Sequence, residues 1–284
     1  MQKTLGQSVE ICGIGLHSGI ESRLTLHPAE ADSGIVFVRS DLDDCDDFPA
    51  LYKNVIDTRN CTCLGNAKKQ MVSTVEHIMA ALYARGIDNA RIEINNPEVP
   101  IMDGSAKVFY DTLKKVPTKD LDAKRKYLMV KRGVVFNDDK GGTIKLKPAD
   151  GFKIRFTIDF PSKIVGHQKF DAEITPALFA EDIAPARTFC EKYQVDYLRS
   201  IGLIKGGSLD NAVVLDGDKI LNEGGFRLEN ECVKHKTLDC IGDMFTSGYR
   251  MLAAVEANKT GHFHNNEVLK KLFADAQNYE IIEE

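Results

Sequence analysis

The stretch His235-Lys236-Thr237-Leu238-Asp239-Cys240-Ile241-Gly242-Asp243 carries three ionisable residues, His235, Asp239 and Asp243, at a spacing of four. Its apolar residues recur at helical spacing, which predicts a helix over residues 229–247. Residues four apart project from one helix face, so His235 and Asp239 can both reach a single cation. The alternative is a solvated face whose His–Asp pair contributes about 0.2–0.5 kcal/mol. The third ionisable residue in the row, Asp243, favours the metal site.

A second pair of ligand-type residues, Glu76-His77, lies on a helix predicted over residues 74–85. Catalytic zinc sites use three protein ligands and leave the fourth position to water, so His77 would complete a set with the histidine and aspartate above. Glu76 would then be free to act as a base. The same segment matches a capping box, in which Ser73 caps the helix and Glu76 reaches back to its amide. This segment alone leaves both interpretations open.

The stretch Gly261-His262-Phe263-His264 precedes a helix predicted over residues 265–276. A histidine near a carboxylate can stay protonated at neutral pH, and can act as a general acid or as a positive charge for an anionic intermediate. Asp243, one turn beyond the proposed ligands, is suited to orient it. These residues by themselves do not choose between His262 and His264.

Composition is typical of a soluble globular protein. The 284 residues are 43% hydrophobic and 28% charged, and the formal net charge is -5, which gives no reason to expect a nucleic-acid partner. Residues 1–10 contain no apolar run behind a basic start, and no later segment is long enough to span a bilayer. We therefore expect a cytoplasmic protein. Its seven cysteines form no disulfide pattern and are expected to be reduced.

Strand patterns precede helix patterns in both halves of the chain. Strands are predicted at 22–26, 34–38 and 90–94, and again at 128–136, 142–147, 153–160 and 211–215. Further helices are predicted at 106–115 and 186–200. The charged segment 114–127, which contains Pro117, is typical of a linker. Strands followed by helices, without strict alternation, predict an α+β fold, and the similar order of the two halves suggests a duplication.

A series of short motifs supports a family resemblance that runs almost end to end. The motifs are Gly13-Ile14-Gly15-Leu16-His17-Ser18-Gly19, Asp57-Thr58-Arg59, Thr74-Val75-Glu76-His77, Pro100-Ile101-Met102-Asp103-Gly104-Ser105, Ala186-Arg187-Thr188-Phe189, Lys205-Gly206-Gly207-Ser208, Leu221-Asn222-Glu223, His235-Lys236 through Gly242-Asp243, and Gly261-His262 with Asn265-Asn266. In content and order they resemble the bacterial UDP-3-O-acyl-N-acetylglucosamine deacetylases, the zinc amidases that commit the cell to lipid A synthesis.

The resemblance implies a metal site and a base that agree with the spacing argument. It implies that His77, His235 and Asp239 bind one zinc ion, with iron as an alternative in vivo, and that Glu76 is the general base. The expected reaction is hydrolysis of the N-acetyl group, with release of acetate and a free amine.

The resemblance also decides between the two histidines. It implies that His262 is the acid, oriented by Asp243, and that the hydroxyl of Thr188 stabilises the oxyanion. His264 is a departure, because the family typically has an aliphatic residue at that position. It could perturb the pKa of His262 or point elsewhere.

The resemblance implies an acylated UDP-sugar as the substrate. Lys236 is suited to the diphosphate, Phe160 matches an aromatic residue near the nucleotide, and Phe189 is expected over the sugar. For either phenylalanine the alternative is an ordinary core position. The acyl chain is expected in an insertion over about 186–220.

The resemblance also implies two layered α+β sandwich domains with the active site between them. No oligomerisation segment is evident in the sequence, so we expect a monomer. Residues 1–118 would carry Glu76-His77, and residues 127–284 would carry the His235 and Asp239 helix and the insertion. Two other functions stay open: an amidase for another acetylated sugar, and a silent nucleotide-sugar-binding protein with structural zinc. A structural zinc site has four protein ligands and needs no base, so Glu76 argues against the second.

Overall fold

The computed structural model describes residues 1–284. In the first half, a five-stranded sheet has the order β2-β3-β9-β4-β5, with β4 parallel to β9 and the other pairs antiparallel. Two small sheets, β1-β10 and β6-β7-β8, complete this half. The strands are β1 (Lys3–Leu5), β2 (Val9–Ile14), β3 (Glu21–Pro28), β4 (Ile35–Arg39), β5 (Phe48–Pro49), β6 (Val55–Asp57), β7 (Cys63–Gly65), β8 (Met71–Val72), β9 (Ala90–Ile94) and β10 (Thr118–Asp120).

The second half is built on a seven-stranded sheet. The long strand β19 pairs with β11, β13 and β14, and β12, β15 and β20 lie outside these. A small sheet, β16-β17-β18, lies in the region where the insertion is predicted. The strands are β11 (Lys126–Val130), β12 (Val134–Asn137), β13 (Thr143–Pro148), β14 (Phe152–Asp159), β15 (His167–Glu173), β16 (Phe189–Glu191), β17 (Val213–Asp216), β18 (Lys219–Ile220), β19 (Arg250–Asn258) and β20 (Tyr279–Glu283).

The helices pack in layers against these sheets. They are α1 (Glu76–Arg85), α2 (Lys107–Lys114), α3 (Pro176–Leu178), α4 (Lys192–Ser200), α5 (Glu231–Phe245) and α6 (His262–Phe273). Helix α1 contacts α2 and α5, helix α5 also packs on β14 and β15, and α6 packs on β12 and β13. The mixture of helices and mainly antiparallel sheets confirms the predicted α+β class.

The pair α1 and α5 joins the two halves at the centre of the molecule. Both helices are buried almost all round, as expected for helices enclosed by other elements. Their backbones approach so closely that a Cβ atom at Gly242 would lie 2.0 Å from the carbonyl oxygen of Glu76. Only glycine fits there, and this contact sets the metal-ligand motifs of the two helices side by side.

Three predicted elements differ from the structure. The predicted strand 128–136 is two strands, β11 and β12, because β11 pairs with β19 and β20 whereas β12 pairs with β13. The predicted helix 186–200 begins as strand β16, which pairs with β17, and becomes helical only at α4. The predicted linker 114–127 includes β10, which pairs with β1. In each case pairing with a distant strand overrides the local pattern.

The predicted capping box at the start of α1 is wrong. Val75 is the N-cap residue, without a side-chain cap, and the Ser73 hydroxyl donates to the carbonyl oxygen of Pro97 instead. The Glu76 carboxylate instead accepts a hydrogen bond from the backbone N–H of Thr62.

No helix of the structure combines the length and apolar character needed to cross a membrane. The domain boundary between residues 118 and 127 stays a prediction.

Candidate metal and catalytic site

The three predicted metal ligands converge at the contact between α1 and α5. His77 lies in the first turn of α1, and His235 and Asp239 lie one turn apart on α5. The Oδ1 atom of Asp239 is 3.5 Å from Nε2 of His77 and 3.4 Å from Nε2 of His235. Ligand atoms around a tetrahedral zinc ion are about 3.3 Å apart, given metal–ligand bonds of about 2.0–2.1 Å. The two separations from Asp239 therefore match those around a tetrahedral zinc ion. The ligand atoms of all three residues, called the ligand set below, lie within 4.8 Å of one another.

Hydrogen bonding leaves the ligand atoms free. Nδ1 of His235 is 3.0 Å from the carbonyl oxygen of Ala186, which can only accept, so Nδ1 carries the proton and Nε2 keeps its lone pair. Oδ1 of Asp239 and Nδ1 of His77 are buried without a hydrogen-bond partner. Buried polar atoms are rarely left unpaired, and a cation at this point would satisfy Asp239. The residues present therefore fit a metal ion.

The charges around the ligand set favour the metal-binding protonation states. Burial acts to raise the pKa of Asp239, but His235 and Lys236 outweigh it and hold this pKa well below its usual value. Burial lowers the pKa of His235 to about 4, against the opposing charge of Asp239. Metal binding requires an ionised carboxylate and a neutral imidazole. At neutral pH both ligands are therefore in the required state.

The carboxylate of Glu76 lies beside the ligand set without belonging to it. One oxygen, Oε2, accepts a hydrogen bond of 3.0 Å from the backbone N–H of Thr62. The other, Oε1, is 3.9 Å from Nε2 of His262. Burial raises the pKa of Glu76, and the charges of His262 and His77 offset this only in part. Such an environment makes a carboxylate a stronger base.

His262 is the first residue of α6, and its ring is fixed by Asp243. Nδ1 donates to Oδ2 of Asp243 at 2.8 Å, which leaves Nε2 directed towards Glu76 and Asp239, 3.9 Å from an oxygen of each. Burial acts to lower the pKa of His262, but Asp243 and Glu76 outweigh it and raise this pKa to about 9. The imidazole is therefore positively charged at neutral pH.

His264 points away from this cluster. Its Nε2 atom is 3.0 Å from Oδ2 of Asp138, in the turn between β12 and β13, and its ring packs against Phe136 and Phe263. Of the two alternatives left by the sequence, the structure therefore brings His262 to the metal ligands and ties His264 to a hairpin.

Phe189 lies beside the ring of His235, and Thr188 precedes it in the same firmly anchored segment. The guanidinium of Arg187 donates to both carboxylate oxygens of Glu231, at 2.8 and 3.1 Å, and both side chains are buried. We call Arg187 and Glu231 the anchor pair. Their bond fixes the segment containing Ala186, whose carbonyl oxygen accepts from His235, onto the first turn of α5. Thr188, two residues later, is half-buried, and its backbone bonds to Gly104 and Val213.

Two of the predicted substrate residues, Phe160 and Lys236, line a cavity next to the ligand set, and Phe189 packs against Phe160. The ring centroids of Phe160 and Phe189 are 5.3 Å apart, and Phe189 lies 6.4 Å from the ring of His235. A cavity of about 170 Å³ is lined by Phe160, Lys236 and Lys259, among others. The Lys236 ammonium also donates to Oδ2 of Asp239 at 2.8 Å. The three predicted substrate residues are thus neighbours of one another and of the metal ligands.

Sequence reasoning missed several polar residues of the site. Thr62 bonds to both Glu76 and Asp243, Asn265 donates to Oδ2 of Asp243 at 2.8 Å, and Lys259 lines the cavity. Asn265 belongs to a motif that the sequence carries, which could have pointed to it. Thr62 lies between two cysteines in a short, irregular segment, and nothing in its spacing signals the contact.

Three nitrogen and oxygen atoms placed to bind one metal ion, beside a glutamate and a charged histidine, are typical of metal-dependent hydrolases. The model of the LpxC family, described as UDP-3-O-acyl N-acetylglycosamine deacetylase, matches residues 2–274. The chain therefore belongs to this family of deacetylases, whose step is part of lipid A biosynthesis.

Curated relatives agree with this family over nearly the full chain. Proteins named UDP-3-O-acyl-N-acetylglucosamine deacetylase from Pasteurella multocida (strain Pm70) and Haemophilus influenzae (strain PittEE) are each 42% identical over 284 residues. One from Actinobacillus pleuropneumoniae serotype 3 (strain JL03) is 44% identical over 285 residues. In each comparison the match covers 99% of this chain and 92% of the relative.

Proposed function

We propose that this protein removes the N-acetyl group of UDP-3-O-acyl-N-acetylglucosamine with the help of one zinc ion held by the ligand set. Water adds to the acetamide carbonyl, the C–N bond breaks, and acetate and UDP-3-O-acyl-glucosamine leave. The evidence for the reaction is the family membership. The main evidence for the metal is the buried Oδ1 atom of Asp239, which has no hydrogen-bond partner and lies 3.5 and 3.4 Å from two histidine nitrogens.

His77, His235 and Asp239 would hold the zinc ion, which would supply a Lewis acid for the amide carbonyl and would lower the pKa of a water molecule. Zinc is favoured over magnesium or calcium because two of the three ligand atoms are imidazole nitrogens. Iron in the divalent state suits the same ligands, and it is the alternative in vivo.

Glu76 is the general base of this proposal. The amide of Thr62 occupies Oε2 and leaves Oε1 to face the site, where it takes a proton from the attacking water. Desolvation of the carboxylate raises its pKa and thereby its basicity.

His262 is the general acid and the positive charge opposite the tetrahedral oxyanion. Its Nδ1 proton is committed to Asp243, so the Nε2 proton is the one available to the leaving amine. The hydroxyl of Thr188 is assigned as a further oxyanion donor from the family resemblance, and the anchor pair fixes the residue before it.

The cavity beside the ligand set suits the UDP-sugar. Phe160 and Phe189 offer aromatic faces for the nucleotide and the sugar, and the ammonium groups of Lys236 and Lys259 offer charge to the diphosphate. Lys236 keeps its charge, because its ion pair with Asp239 raises its pKa although burial acts to lower it.

We assign the insertion around α4 to binding of the acyl chain. We assign the two domains to residues 1–118 and 127–284, and the reaction to a cytoplasmic monomer.

The proposal is tested by acetate release from UDP-3-O-acyl-N-acetylglucosamine before chelation, after chelation, and after one equivalent of zinc is returned. Activity should disappear and come back. An N-acetylated UDP-sugar without the acyl chain serves as the matched control, and equal turnover of both substrates would favour an amidase of different specificity.

The variant Glu76→Gln distinguishes the role of Glu76 as a base from metal binding by the ligand set. The change should lower kcat by about 10²–10⁴-fold while one metal ion per chain stays bound, because the glutamine keeps the shape and loses the basic oxygen. Metal content by atomic emission and kcat on the same sample give the answer. Near-normal turnover in the variant would mean that another group takes the proton.

A further inference from the structure

Thr62 connects the two halves of the catalytic cluster. It lies between β6 and β7 in the first half of the chain and is buried. Its backbone N–H donates to Oε2 of Glu76 at 3.0 Å, and its hydroxyl donates to Oδ1 of Asp243 at 2.6 Å. One residue thus touches the carboxylate that acts as the base and the carboxylate that orients the acid.

The hydrogen bond from the Thr62 hydroxyl holds the second carboxylate oxygen of Asp243 in place. Oδ2 of Asp243 accepts from Nδ1 of His262 and from Asn265, both of which belong to α6. Oδ1 accepts from Thr62, which comes from the other half of the chain. The Thr62 oxygen is also 3.3 Å from Nδ1 of His262. Without the hydroxyl, the carboxylate would be held by its α6 partners alone and could rotate.

We propose that Thr62 is a positioning residue of the deacetylation, which sets the distance between the base Glu76 and the acid His262 by holding both through one rigid segment. The proposal rests on the function proposed above. Base and acid come from different halves of the chain, on α1 and α6, so no single element fixes their separation. A misplacement of a catalytic group by about 1 Å can cost about 10²-fold in rate.

The segment that carries Thr62 is itself held in place. The carbonyl oxygen of Thr62 accepts from the amide of Val75, one residue before α1, and Cys63 begins β7. Thr62 therefore moves with the start of α1, where Glu76 and His77 lie. Its hydroxyl extends this rigid unit to Asp243 on α5 and through it to His262.

The test uses Thr62→Val, which removes the hydroxyl and retains the size of the side chain and the amide contact to Glu76. The expected result is a fall in kcat of about tenfold or more, with KM within about twofold of the wild type and metal content unchanged. Thr62→Ser should recover most of the loss, because it restores the hydroxyl. Thr62→Ala serves as a second deletion if the valine variant folds poorly.

Thr246→Val is the matched control. Thr246 is also buried, and its hydroxyl donates to the backbone carbonyl oxygen of Asp243 at 2.6 Å rather than to the carboxylate. If loss of a buried hydroxyl acts only through stability, both variants should lower the melting temperature and neither should change kcat. The proposal expects the fall in kcat for Thr62→Val alone.

A double-mutant cycle with Asp243→Ala distinguishes positioning from a general packing defect. Thr62→Val should cause little further loss of kcat in the Asp243→Ala background, because the group through which the hydroxyl acts is gone. Equal losses in both backgrounds, or wild-type kcat for Thr62→Val, would overturn the proposal. Failure of the wild type to release acetate would instead refute the proposed function, so the two failures are distinguishable.

Discussion

The anchor pair and the ligand set are both buried groups of ionisable side chains at α5, but their polar atoms differ in hydrogen bonding. Glu231 accepts hydrogen bonds from the Arg187 guanidinium, the Arg187 amide and the Arg227 amide, so both of its oxygens have partners. In the ligand set, Oδ1 of Asp239 has no hydrogen-bond donor although it is as deeply buried.

This difference separates a structural role from a binding role. A buried charge is tolerated when it is paired and fully hydrogen-bonded, which is the state of the anchor pair. A buried oxygen that lacks a donor lowers stability until something fills the place of the donor. The anchor pair is therefore complete on folding, and we propose that the ligand set is completed by a bound cation.

The largest expected effect comes from Asp239→Asn. Loss of the carboxylate should abolish tight metal binding and acetate release, because a direct metal ligand is removed. The fall in metal affinity should exceed the loss of about 10–100-fold that is typical when a residue hydrogen-bonded to a ligand is replaced. Metal content by atomic emission and the metal Kd by competition measure this. A variant that still held one tightly bound ion would show that Asp239 is not a ligand.

Glu231→Gln is the counterpart at the anchor pair. The free energy of unfolding should fall by about 3–5 kcal/mol, because the buried guanidinium of Arg187 loses its counter-charge. Urea unfolding of the metal-free proteins measures the change, and Asp239→Asn should be affected less. If the folded Glu231→Gln variant failed to bind metal, the two clusters would not be separable.

Metal should stabilise the folded protein through the ligand set alone. At a free zinc concentration of 100 times Kd, the expected gain is about 2.7 kcal/mol for the wild type. Glu231→Gln should keep this gain and Asp239→Asn should lack it. Melting curves with zinc and with chelator provide the comparison, and equal zinc shifts in the two variants would contradict it.

The smallest expected effect is on the pH dependence of stability. Burial acts to raise the pKa of Glu231, but the hydrogen bonds from Arg187 outweigh it and place this pKa below its ordinary value of 4.5. As pH falls below about 4.5, the unfolded chain takes up a proton that the folded chain resists, so this contribution to stability is lost.

Above pH 4.5 the contribution should be complete. Metal-free wild type should therefore lose stability more steeply than Glu231→Gln below this pH, as urea titrations at several pH values would measure. Parallel curves for the two proteins would mean that the pKa of Glu231 is not lowered by folding.

Much of the site could be predicted from the sequence where the relevant geometry is local. The spacing of His235 and Asp239 predicted a shared face, and a shared face is what α5 provides. The same reasoning gave Glu76 two incompatible roles, a helix cap or a free base. The choice depended on the amide of Thr62, which approaches from another part of the chain.

The choice between His262 and His264 depended on partners as well. Both residues lie in the first turn of α6, and nothing in their immediate surroundings distinguishes them. Asp243 on α5 holds one ring, and Asp138 in the β12–β13 turn holds the other. Tertiary packing brings those two carboxylates to α6. The residue pattern within one helix does not show which carboxylate each histidine will contact.

The sequence by itself determined the α+β class, the motif order of the family and the residue types of the metal site. It did so because turn spacing within a helix and alternation along a strand are fixed by backbone geometry. Only the tertiary structure decided which side chains keep a free lone pair, which carboxylates are satisfied, and how Thr62 joins Glu76 to Asp243. Those properties arise between segments far apart in the chain, where the packing of α1 against α5 at Gly242 sets the distances.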